Sequence, residues 1–126
     1  MVQTDISQLS AECQEWRQIL RNYRDELQES KKSLQHSCQK ELKREQLQDV
    51  EHFDNQFHIQ LINIHDLKQF IKAHERKLEI ESSSGESLGE ETYTEHEELL
   101  DQFLNLENTL QELRNEYKNF ISAISC

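Results

Sequence analysis

Proline is absent from the 126-residue chain, and glycine occurs only at Gly85 and Gly89. A sandwich or barrel needs turn residues every ten positions or so, and this chain does not supply them. Long apolar runs are also missing: no window approaches the eighteen apolar residues of a membrane-spanning helix. Residues 1–16 carry neither a basic segment nor an apolar core of the kind that marks a secretory leader. Positive charge is in deficit, with 14 Lys and Arg against 25 Asp and Glu. That balance argues against nucleic acid and anionic lipid as partners. The three cysteines, Cys13, Cys38 and Cys126, are odd in number and show no metal-like spacing. Such usage fits a reducing cytoplasm.

What remains is rich in Gln, Glu, Leu and Lys, whose straight side chains lose little rotamer freedom in a helix. A polar chain with net charge −11 could be disordered, but the apolar periodicity argues otherwise. In the first third, Ile6, Leu9, Cys13, Trp16, Leu20, Tyr23, Leu27, Ser30 and Leu34 alternate at spacings of three and four. The middle third repeats this with Val50, Phe53, Phe57, Gln60, Ile64, Leu67, Ile71, His74 and Leu78. Leu99, Phe103, Leu106, Leu110, Leu113, Tyr117, Phe120 and Ile124 form a third seam. These are heptad stripes. Leu61, Phe70, Leu100, Leu104 and Ile121 lie beside the second and third seams and widen those stripes, as a helix touching two neighbours requires.

One joint is plain, because the Ser/Gly/Glu-rich loop 82–89 contains both glycines. Ser87 with Glu90, Thr92 with Glu95, and Thr94 with Glu97 follow it at capping-box spacing. The other joint is inferred. Sixteen residues separate Leu34 from Val50, which turns the two seams to nearly opposite sides of any continuous helix. A break near Ser33–Cys38, in a stretch of poor helix formers, resolves this. The sequence therefore predicts one all-α domain over 1–126, an antiparallel three-helix bundle with helices at about 5–35, 39–81 and 90–125. The alternative is one very long helix with the last segment folded back, forming a segment-swapped dimer.

Candidate chemistry is thin. No Glu-x-x-His or His-x-x-x-His spacing occurs, so no single helical face offers a di-iron or zinc ligand pair. Ser83, Ser84 and Ser87 are read as turn residues. The sequence thus assigns no catalytic, cofactor-binding or metal-ligating residue, expects no cofactor, and reads the chain as no enzyme. Gln60 and His74 fall on the buried seam, where polar residues fix helix register, and His74→Leu is expected to raise stability. Nine carboxylates (Glu79, Glu81, Glu86, Glu90, Glu91, Glu95, Glu97, Glu98 and Asp101) crowd residues 79–101 without one Lys or Arg. They form an acidic tip suited to a basic protein surface.

The segment Val50-Glu51-His52-Phe53-Asp54-Asn55-Gln56-Phe57, followed by Asp66-Leu67-Lys68-Gln69-Phe70-Ile71-Lys72, resembles a group of small uncharacterised bacterial helical proteins with a V-E-H-F-x-N-Q-F motif. The resemblance implies a bacterial origin and a helical fold, and carries no activity. The function expected is a non-catalytic structural or protein-interaction module acting through helical faces and the acidic tip, with a protein partner or a second copy of itself. The alternative is a metal- or small-ligand-binding sensor using His52, His58, His65 or His74.

Overall fold

A computed structural model describes residues 6–37, 42–84 and 89–124. It contains three helices, α1 (Ile6–Ser37), α2 (Arg44–Ser83) and α3 (Glu90–Ile124), and no strand among the described residues. At 1.5 Å per residue they are roughly 48, 60 and 52 Å long. The chain between α1 and α2 does break, so the single long helix does not form. α1 ends at Ser37, within the expected Ser33–Cys38 stretch, and α2 begins at Arg44 rather than near residue 39. Lys43 precedes it in an extended conformation, and its amide N–H donates to Gln46 Oε1 at 2.9 Å. That bond satisfies an otherwise orphaned donor at the helix start. Cys38 and Lys40, in this joint, lie outside the described residues, as does Cys126.

Pairs between helices fix the topology. Arg17 of α1 bonds Glu75 of α2, and Lys31 of α1 reaches Asp54, so these two helices run antiparallel. On α2 and α3, His74 meets Glu95 and Phe53 meets Phe120, which is again antiparallel. Between α1 and α3, Glu12 meets His96, Glu26 meets Arg114, and Ser30 accepts from Tyr117. Those two helices are therefore parallel. The bundle is up-down-up, with α2 as the element on which both neighbours pack.

The core follows the stripes closely. On α2, the nine seam positions are the nine buried residues. Burying such side chains contributes about 1.5–3 kcal/mol each, which is what holds helices that would be marginal alone. On α1, Leu9 through Leu34 are buried, while Ile6 and Ser30 are half-buried. On α3, Leu106, Phe120 and Ile124 are only half-buried. The far end is an aromatic cluster, where Phe57 and Tyr117 meet edge to face at 5.0 Å and Phe53 lies 5.1 Å from Phe120. Of the residues beside the seams, Leu61, Leu100 and Ile121 pack against the core, but Phe70 and Leu104 stand exposed.

Candidate functional site

The second polar position of α2's seam sits near the opposite end of the bundle. His74 is 1% exposed, and α3 places His96, 5% exposed, against it. Stepping back from Leu99 by three and then four residues gives His96 and Thr92, so both continue α3's stripe toward its N-terminus. Reading that seam from its first apolar residue passes over them. Cys13, on the seam of α1, completes the group and is fully buried.

His74 Nε2 faces His96 Nδ1 at 3.0 Å. The outer nitrogen of each ring meets a carboxylate: His74 Nδ1 lies 2.7 Å from Glu95 Oε1, and His96 Nε2 lies 2.7 Å from Glu12 Oε2. Cys13 Sγ is 3.9 Å from His96 Nδ1. All three inward donor atoms, Cys13 Sγ and one nitrogen from each ring, lie within 4.8 Å of one another. Trp16 covers one side, with its ring 4.7 Å from that of His96. A neutral imidazole has one N–H and one lone pair. If both outer nitrogens donate to carboxylates, both inner nitrogens present lone pairs to each other. A shared proton or a metal ion between them relieves that opposition.

Burial, and then the carboxylates of Glu75 and Glu12, push the Cys13 thiol up to about 12. At neutral pH it is therefore a small apolar thiol. Partial burial works to raise Glu95, but the hydrogen bond from His74 and the charge of Lys77, 3.4 Å away, hold its carboxyl below the usual range. A carboxyl depressed in the folded state stabilises the fold above its unfolded pKa, and that contribution disappears as pH falls through the folded value. The expected result is that Glu95→Gln is less stable than the parent near neutrality. In urea unfolding, the difference should narrow as pH drops from about 5 to about 3. A gap that stays constant over that interval would show that Glu95 does not sense its partners.

The groove between α2 and α3 is the second feature. At 100° per residue, Ile59, Ile62, Phe70, Ala73 and Ile80 fall within about 80° of one another on the outward shoulder of α2, a stripe interrupted by Asp66 and Lys77. Phe70 is 59% exposed and Ile62 48% exposed. Phe70 separates two shallow depressions of about 320 Å³ each. Leu67, Ala73, Leu99 and Leu106 form their apolar lining, and the charged residues there are all acidic: Asp66, Glu95 and Glu98.

The acidic tip is partly drawn inward. Glu81 Oε1 accepts from the Thr92 hydroxyl at 2.7 Å, and Glu95 serves His74. Glu79, Glu90, Glu91, Glu97, Glu98 and Asp101 face solvent, and Glu86 lies outside the described residues. Thr92 and Thr94 lie inside α3 rather than capping it. The carbonyl of Gly89 takes the first amides instead, from Thr92 and Tyr93. Ser87, the remaining expected cap, lies outside the described residues. Gln60 Oε1 accepts from Asn63 on its own helix at 3.2 Å, a bond that does not specify register. His52, His58 and His65 are exposed on separate turns of α2, so of the four histidines proposed for a sensor only His74 joins a cluster.

Gly85-Glu86-Ser87-Leu88-Gly89 spells the G-x-S-x-G string of a hydrolase nucleophile elbow. That elbow requires a strand leading into the serine. Here α2 precedes the string and α3 follows it, and residues 85–88 lie outside the described residues. No family model, curated protein or solved structure matches the chain.

Proposed function

We propose that this chain is a non-catalytic interaction module that docks a basic amphipathic helix in the α2–α3 groove around Phe70. The observation that carries this reading is the exposure of Phe70 on a largely apolar stripe, in a groove lined by Asp66, Glu95 and Glu98, with Lys77, paired to Glu95, at its edge. A partner helix with a leucine face and lysine or arginine shoulders matches both features. Burying the aromatic ring supplies affinity, and opposite charge supplies orientation and encounter rate. The exposed carboxylates of the tip extend the same negative field and disfavour polyanions. No described helix is long and apolar enough to cross a membrane. The buried free thiol of Cys13 is compatible with a reducing compartment such as the cytoplasm.

A labelled helical peptide of leucine and lysine, titrated with the full chain, tests the reading by fluorescence anisotropy. Binding should be saturable, should weaken with salt, and should fall about tenfold or more in Phe70→Ala. Because Phe70 is largely exposed, that change leaves the fold intact. Equal binding by Phe70→Ala, or by a peptide of scrambled pattern, removes the groove from the argument. Light scattering that shows a dimer lost in Phe70→Ala would instead assign the groove to a second copy.

A further inference from the structure

We propose that Cys13, His74 and His96 bind one zinc-class dication, which fastens the three helices together at the end of the bundle nearest the 84–89 connection.

Each ligand comes from a different helix, and the three are 1%, 5% and 0% exposed in the order His74, His96, Cys13. Structural zinc is held at about 2.0–2.1 Å by imidazole and about 2.3 Å by thiolate, so tetrahedral donors stand roughly 3.3–3.6 Å apart. The inner nitrogens are 3.0 Å apart, and Cys13 Sγ is 3.9 Å from His96 Nδ1. All three donor atoms lie within 4.8 Å of one another, so seating an ion draws the Cys13 and His74 side chains together by up to roughly 1 Å.

The outer contacts fit as well. A metal-bound histidine typically gives its other N–H to a carboxylate, which fixes the tautomer and turns the lone pair toward the ion. Glu95 serves His74 in this way, and Glu12 serves His96. Charge also closes: the ion's two positive charges meet the Cys13 thiolate and Glu12, while Glu95 answers Lys77. On binding, the Cys13 S–H bond breaks, its proton passes to solvent, and the sulfur pair forms the bond to the metal. Thiolate and imidazole select zinc, cobalt and their neighbours over magnesium and calcium, which demand oxygen. Among the described residues no fourth side-chain donor joins the group, so water takes that position.

The test uses the full chain, purified without an affinity tag, with Cys38→Ser and Cys126→Ser so that Cys13 is the sole thiol. Cobalt(II) titration should give one equivalent bound, with visible bands of tetrahedral intensity and a near-ultraviolet sulfur-to-cobalt band. Zinc should displace it. Trp16, the only tryptophan, lies with its ring 4.7 Å from that of His96 and should be quenched by cobalt in step. Cys13→Ser should abolish the sulfur band and weaken cobalt about 100-fold, and Glu12→Gln should weaken it about tenfold. Should Cys13→Ser fail to fold, the sulfur band and stoichiometry of the parent decide alone. Cobalt that binds without a sulfur band, or zinc that leaves both Trp16 emission and the melting temperature unmoved, would overturn the site. This outcome is independent of peptide docking at Phe70.

Discussion

His74→Leu is expected to lower the melting temperature, the opposite of what a lone polar residue on a heptad seam suggests. Leucine would pack at that position, but the structure gives His74 two partners that leucine cannot replace. His96 Nδ1 would keep only the long contact to Cys13 Sγ while remaining buried, and Glu95 would lose the shorter of its two side-chain bonds. Leaving a buried polar group unmatched costs about 1–3 kcal/mol. For a domain of this size that is a fall on the order of 5–10 °C. The double variant His74→Leu/His96→Leu should recover part of the loss, because removing both partners together strands neither ring. Glu12 and Glu95 are each more than a third exposed and can return to water. Thermal unfolding of the parent, both single variants and the double variant, in chelator, closes the cycle. Strict additivity, or a rise in the single variant, would mean that the pair is not a coupled unit.

Phe57→Ala is expected to be the most damaging single truncation. Phe57 is 1% exposed and lies against Tyr117 and Phe53. Phenylalanine-to-alanine changes in cores cost about 3–5 kcal/mol, the transfer of the lost ring plus the void it leaves. Edge-to-face contact with Tyr117 is part of that figure. The void would merge with the α1–α3 cleft of about 220 Å³, which Phe57 already lines beside Tyr23, Leu27 and Leu110. Little collapse is therefore available to soften the loss. A fall on the order of 15 °C should follow, with a lower urea midpoint at nearly unchanged slope. A loss under about 1 kcal/mol would mean that water already reaches the aromatic cluster.

The contrast between these two variants shows where sequence reasoning holds. Whether a residue such as Phe57, Ile64 or Ile71 is buried depends on the period of its own helix, and the period is written locally. The entire seam of α2 was legible for that reason. Phe70 was less so, because a residue beside a seam is covered only if a neighbour lies on that side. Here α1 and α3 leave the outward shoulder of α2 bare. The cluster of Cys13, His74 and His96 was the hardest to see. Its members are 83 and 22 residues apart and meet only through the relative register of three helices. Spacing rules such as Glu-x-x-His and His-x-x-x-His inspect one helical face and are blind to it. A usable signal was nonetheless present: extending the α3 stripe one step back from Leu99 puts a second histidine on a buried seam, at the end where His74 lies.

The parallel pairing of α1 with α3 has a kinetic consequence. Every polar bond described between them joins residues 83 to 88 apart in the chain. The α2–α3 hairpin, by contrast, closes across the short 84–89 connection and incurs little loop entropy. Contacts that span most of the polypeptide form late, after the hairpins have found their registers. Interactions absent from the transition state govern how fast the native state is left rather than how fast it is reached. Ties such as Glu26 to Arg114 thus act as latches: they lengthen the lifetime of the finished bundle while barely altering its rate of assembly.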